Sequence, residues 1–217
     1  MPSRTTKPNE SRTGRSRGKG RGPAGTTSDA IYQAAEDLFF ERGYGATSLR
    51  DIADAVGLQV GSLYNHISSK ESMLFVIMQG SMMGVLEAVD SAVYGIDDPV
   101  DRLEAFMKAT IKYYGRNTRK SFIGNTELRS LPTEYRERIQ ALRDEYEQRL
   151  TAILGKCAQA GVDIPDTRMA AYALVAISAH VASWYREDGE LSLDEVADHL
   201  TATYAPLAKA RSGPLVG

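Results

Sequence analysis

Between Leu58 and Glu71 the chain reads LQVGSLYNHISSKE, a run that sets two amides, several hydroxyls, a phenol, an imidazole and an ammonium beside only a few apolar anchors. Catalysis or metal binding by His66 would need partners at fixed spacing. The other histidines, His180 and His199, lie far along the chain and form no HxxxH or HExxH pattern. GxxxxGK[ST] does not occur, and Cys157 stands alone, which removes both a disulfide framework and a zinc site built on cysteine pairs. No catalytic residue, cofactor or metal is therefore expected. The chemistry left for these side chains is recognition by hydrogen bonding. An enzyme reading would need a turnover that the sequence gives no means to perform.

The elements that must hold this run are helices. After Thr27 and Ser28, apolar residues recur at Ile31, Ala34, Ala35, Leu38 and Phe39, the spacing of one helix face, until Gly43. Thr47 or Ser48 caps a shorter helix with Leu49, Ile52, Ala53 and Val56 inward. A third helix is expected from about Gln59 to Ile67, and Ser68 or Ser69 then caps a long fourth that runs towards Gly95. Pro99 opens a fifth, residues 120–131 read as a short irregular sixth ended by Pro132, and a long charged seventh follows from Thr133. Residues 169–185, MAAYALVAISAHVASWY, are apolar nearly all round, so this eighth helix must be covered on every side, by its own domain and by a second subunit. A ninth carries Leu193, Val196, Leu200 and Tyr204. The expected class is all-α, with about nine helices and no strand pattern.

Two short helices joined by a tight turn at Gly57 and Leu58 make a helix-turn-helix. On the third helix Val60, Leu63 and Ile67 face inward, while Gly61, Ser62 and Asn65 face outward, with Gln59, Tyr64 and His66 on the flanks. Gln59, Val60, Gly61, Ser62 and Asn65 stand where base edges would be approached: an amide suits adenine, a small apolar group a thymine methyl, and a glycine admits the backbone. Tyr64, His66 and Lys70 are spaced to reach phosphates, as are Arg50 and the helix start at Thr47.

At these residues the sequence resembles the DNA-binding signature of the TetR/AcrR family of bacterial regulators. TSLRDIADAVGLQVGSLYNHISSKESML, residues 47–74, carries it in Ile52, Ala53, Gly57, Leu58, Gly61, Leu63, Tyr64, His66, Lys70 and Leu74, with Ile67 where phenylalanine is more usual. The resemblance implies a homodimer, paired through its eighth and ninth helices, whose N-terminal domains sit in successive major grooves of a palindromic double-stranded operator. It also implies a C-terminal domain that holds a small-molecule inducer, so that a cytoplasmic repressor is released from DNA. The division expected is a basic arm over residues 1–26, the helix-turn-helix domain over 27–72, the ligand-binding and dimerisation domain over 73–210, and a tail over 211–217.

For the inducer, the candidate liners are Phe106, Met107, Thr110 and Tyr113 on the fifth helix, Phe122, Asn125 and Arg129 on the sixth, and His180 and Trp184 on the eighth. A narrower resemblance, in GSLYNHISSKESML and SWYREDGELS, is to repressors of fatty-acid and steroid catabolism relieved by acyl-coenzyme A thioesters. Arg116, Arg119, Lys120 and Arg129 would then meet the coenzyme's phosphates. The alternative is a drug-efflux or other catabolic operon with a hydrophobic inducer that carries no coenzyme A.

Charge is distributed unevenly. Residues 1–22 hold seven basic side chains against Glu10, although the 217-residue chain has a net charge of −2, so the body is strongly acidic and any DNA contact is local. The arm, with no residue fit for a core, is expected to be disordered and to meet polyphosphate, or to act only as a solubilising tail. No uninterrupted apolar run approaches the roughly 20 residues that span a bilayer, and no membrane partner is expected.

Overall fold

The computed structural model describes residues 27–209, with side chains as far as Tyr204; the basic arm and the 211–217 tail lie outside the described residues. Among the described residues the chain forms nine α-helices, one short 3-10 turn and no strand, which is the expected all-α class. They are α1 (Thr27–Arg42), α2 (Leu49–Ala55), α3 (Val60–Leu63), α4 (Lys70–Val93), α5 (Pro99–Arg116), α6 (Thr118–Thr126), α7 (Thr133–Gln159), α8 (Thr167–Trp184) and α9 (Leu193–Lys209), with the 3-10 turn at Leu128–Ser130.

Local chemistry sets the helix ends. Ser48 caps α2 in a capping box with Asp51, and the Ser48 hydroxyl holds the Asp51 carboxyl below its ordinary range. Ser69 caps α4 reciprocally with Ser72. Asp98 and Asp166 accept the first backbone N–H groups of α5 and α8, which starts α8 two residues before the apolar run does. Between α2 and α3, Gly57 takes φ +70°, and the Leu58 N–H donates to Ala53 O at 2.9 Å while the Gly57 N–H donates to Asp54 O. These two bonds define a Schellman turn, which needs a residue without a Cβ at its left-handed position.

The third and sixth helices depart from expectation. α3 is a single α-turn, and residues 64–66 continue it as tighter turns, with the Asn65 N–H on Ser62 O and the His66 N–H on Leu63 O. Gly61 and Ser62 are poor helix formers, and it is the burial of Leu63 and Ile67 that fixes the segment. α6 starts directly after α5 and stops at Thr126, because Gly124, Asn125 and Thr126 supply little helix propensity.

Three apolar clusters hold the molecule. The first joins α1, α2, α3 and the first half of α4, and continues to Ile123 of α6, Leu131, and Ile139 of α7. The second joins the second half of α4 to α5, α7 and α8, and the third packs Ile111, Val181, Val196 and Ala197 of α5, α8 and α9. α4 therefore belongs to two cores. Among the described residues it is the one helix long and apolar enough to cross a bilayer, but half of that stretch is buried inside the protein. α8 is not covered on every side: Met169 is 60 % and Trp184 47 % exposed, and Tyr172, Ala173, Ala176 and His180 share the bare side.

Candidate DNA-binding interface and ligand cavities

Most of the residues expected at DNA are exposed on and around α3. Gln59, Gly61, Ser62, Asn65 and His66 are exposed, Tyr64 is 55 % exposed, and Arg50 projects from α2 beside them. Beneath them Leu63 is fully buried and Ile67 nearly so, so the polar face is held by an apolar one on the same turn. Val60 is half-buried and packs against the first core, leaving only part of its side chain for an outside partner. Lys70 stands 4.2 Å from the ring centroid of Tyr44, which orients its ammonium. Burial and then the nearby Glu71 charge push the Tyr44 phenol up to about 12.

The side chain of Thr47 lies apart from this set. It is only 1 % exposed, and its single hydroxyl proton is shared between Gly43 O at 2.9 Å and Leu38 O at 3.2 Å, tying the end of α1 to the start of α2. The neighbouring Ser48, not Thr47, provides the cap.

α6 links this domain to the rest. Arg119 meets Asp37 at 3.2 Å and Lys120 meets Glu36 at 3.8 Å, while Phe122 sits edge-on to Phe40 of α1. Burial raises the Glu36 carboxyl above its ordinary range, and Lys120 and Arg119 oppose that rise. Arg119 and Lys120 are thus engaged with α1 carboxylates and not held ready for a coenzyme. On the opposite side of α6, Arg143 of α7 donates to Gly124 O at 2.7 Å.

The candidate ligand residues do not form one site. Phe106 is core, packed on Tyr146, and Thr110 is fully buried with its hydroxyl 2.7 Å from that of Tyr146. Tyr113 presses on α4 at Gly84, where an added Cβ would collide with its hydroxyl. Asn125 donates to Ala179 O at 3.3 Å, and His180 pairs with the hydroxyl of Ser183. Phe122 covers α1, Arg129 is exposed, and Trp184 lies on the bare side of α8. Only Met107 lines the cavity of about 470 Å³ between α5, the end of α7, α8 and α9, whose walls include Leu103, Leu154, Leu174 and Ile177. Its liners were not legible beforehand, because they are the aliphatic residues any helix core contains. The small pair Ala170 and Ala173, facing the same space after Pro165, is the one trace in the sequence. Among the described residues no cluster of three or more His, Cys, Asp or Glu could hold a metal ion.

Residues 31–77 match the family described as bacterial regulatory proteins, tetR family, and residues 96–205 match the tetracyclin repressor-like C-terminal domain. The chain belongs to the TetR family. It is a helix-turn-helix transcriptional regulator. It is 31 % identical to the transcriptional repressor KstR2 of Rhodococcus jostii, over 77 % of this chain and 83 % of that one. It is 24 % identical to the transcriptional activator FasR of Mycolicibacterium smegmatis, over 76 % and 75 %. Among solved structures it is similar to the TetR-family regulator PfmR of Thermus thermophilus, at 33 % identity and TM-score 0.74 over 82 % of this chain and 97 % of that one. It is also similar to AibR in complex with isovaleryl coenzyme A and operator DNA, at 31 % identity and TM-score 0.75 over the same shares. In this TetR-family chain the matched residues 31–77 contain the whole exposed cluster around α3.

Proposed function

We propose that this chain is a cytoplasmic repressor that binds a palindromic operator as a homodimer and is released by a small-molecule inducer of the acyl-coenzyme A class. The observation that carries the reading is the exposed, apolar-backed set of Gln59, Gly61, Ser62, Tyr64, Asn65 and His66, which has the composition of a surface that reads bases and clamps phosphates. The bare side of α8 supports pairing of two copies through α8 and α9, since an apolar face of this size in a monomer calls for a partner. The acyl-coenzyme A class is supported by the complex of AibR with isovaleryl coenzyme A. A hydrophobic inducer without coenzyme A is the second reading, favoured by the dominance of aliphatic side chains in the cavity between α5, α7, α8 and α9.

Release follows from a two-state equilibrium. In one state the two α3 segments are about one helical turn of DNA apart and reach both half-sites. Ligand in the C-terminal domain favours the other state by the difference in its affinity for the two. Two routes lead from that domain to α1 and α3: the continuous α4, and the Arg119–Asp37 and Lys120–Glu36 pairs. The test is selection of an operator from random duplexes, then anisotropy with that operator while a series of acyl-coenzyme A thioesters is added. Selection of a palindrome and its release by one chain-length class is the expected outcome. Equal binding to all duplexes would overturn the reading, because specific sites should be favoured by several kcal/mol, about 4–10.

A further inference from the structure

Lys70 is held differently from the paired cations of this molecule. Among the described residues the salt bridges fall on Lys108, Lys112, Arg119, Lys120, Arg149 and Arg186, each against a carboxylate of the same chain. Lys70 is in none of them, and its ammonium stands 4.2 Å from the centroid of the Tyr44 ring instead. A ring face attracts a cation without cancelling its charge, whereas a carboxylate must be displaced before an outside anion can take its place. The neighbouring Glu71 does not play that part. Its carboxyl is held below the ordinary range first by its own backbone N–H and then by the Ser69 hydroxyl, with Lys70 a smaller cause.

The ring is a fixed platform and the lysine is not. Tyr44 is 8 % exposed, its ring stands edge-on to Phe39 at 5.1 Å between centroids, and both side chains belong to the first core. Lys70 is the first residue of α4, where the positive end of the helix dipole repels a cation and favours a side chain swung out into water. The Tyr44 ring opposes that tendency. A lysine loose in solvent gives up much of its rotamer freedom on meeting a phosphate, and one resting on a fixed ring has given up part of it on folding.

We infer that Tyr44 is a positioning residue for DNA binding, whose ring sets Lys70 in advance, with its charge uncancelled, for a phosphate of the DNA backbone. The inference rests on the DNA-binding reading above and adds to it a residue that acts only through another. The ring biases Lys70 by no more than the cation–π attraction, which at a partly exposed site corresponds to about two- to fivefold in affinity.

The experiment is anisotropy titration of the full chain on its selected operator across a salt series, with Tyr44→Leu, Tyr44→Phe, Lys70→Met and the double variant that combines Tyr44→Leu with Lys70→Met. Lys70→Met should weaken binding and make the salt dependence shallower by about one counterion. Tyr44→Leu should weaken binding about two- to fivefold, Tyr44→Phe should restore it by keeping the ring, and the double variant should bind no more weakly than Lys70→Met alone. An equal loss from Tyr44→Leu with and without Lys70 would make Tyr44 a packing residue and overturn the inference. So would parent-like affinity and salt dependence in Lys70→Met. If Tyr44→Leu does not fold, proton NMR of the parent decides: a ring-current shift of the Lys70 ε-methylene protons, both free and on DNA, upholds the contact, and an ordinary shift in either state overturns it. Equal binding of the parent to all duplexes refutes the operator reading alone, since the same cycle on any duplex still tests Tyr44; no binding to any duplex overturns both.

Discussion

Thr47 offers the sharpest test of how this surface is built, because its sequence position and its structural position give opposite answers. At the start of α2, next to Arg50, it belongs among phosphate contacts; in the structure its hydroxyl is inside and shares its one proton between Gly43 O at 2.9 Å and Leu38 O at 3.2 Å. Thr47→Val keeps the shape and removes this shared bond. A net contribution of about 0.5–1.5 kcal/mol is lost. For a chain of this size each kcal/mol moves the melting temperature by about 2–4 °C, which gives a fall of roughly 1–6 °C. Scanning calorimetry measures the fall, with Thr47→Ser as the control that restores the hydroxyl. Operator anisotropy well below the melt should show unchanged affinity for Thr47→Val, whereas Arg50→Ala should show a loss that grows at low salt. An unchanged melt combined with weakened operator binding would refute the assignment of Thr47 to the interior.

Gln59→Ala and Asn65→Ala should each cost about 1–3 kcal/mol on the selected operator and relax sequence choice, while Tyr64→Phe and His66→Ala should weaken binding alike on all duplexes, as competition anisotropy will show. Gly57→Ala places a Cβ at φ +70° and should destabilise the fold by about 1–2 kcal/mol in a denaturant titration. Glu36 has its carboxyl raised by burial, so its stabilising neutral form is fully present below the ordinary value of 4.5 and is lost as pH rises through the higher folded value. Glu36→Gln should therefore be the more stable protein at neutral pH, and the two melts should converge in acid. Deleting residues 1–22 should lower operator affinity and flatten its salt dependence with sequence choice retained, measured by anisotropy across a salt series.

Helix order and most boundaries could be read from the chain because such signals are local: Ser69 and Pro99 each mark the helix that begins beside them. The length of α3 could not, since Val60, Leu63 and Ile67 have the same spacing whether the backbone makes one α-turn or a longer helix. Thr47 and Ser48 illustrate a second limit. Both are capping residues by type, and only the packing of α1 against α2 decides which hydroxyl turns inward. The exposed polar set around α3 was legible because polar side chains on an otherwise apolar-backed turn stand out. The cavity between α5, α7, α8 and α9 was not, for most of its walls are Leu, Ile, Val and Ala, and a space between helices leaves no mark on a pattern that a filled core would share. Trp184, the single tryptophan, lies on the open side of α8.

The double membership of α4 bears on how freely this DNA reader can be exchanged between proteins. Its first half closes the N-terminal core, but that same core borrows Ile123, Leu131 and Ile139 from beyond α5. Cut free after α4, the helix-turn-helix unit would carry an uncovered apolar seam along Met73, Ile77 and Met78, and would associate with itself before it found an operator. A graft onto another helical body must bring α6 and the first turns of α7 with it, so the recognition surface is inherited as a folded joint and not as a detachable cassette.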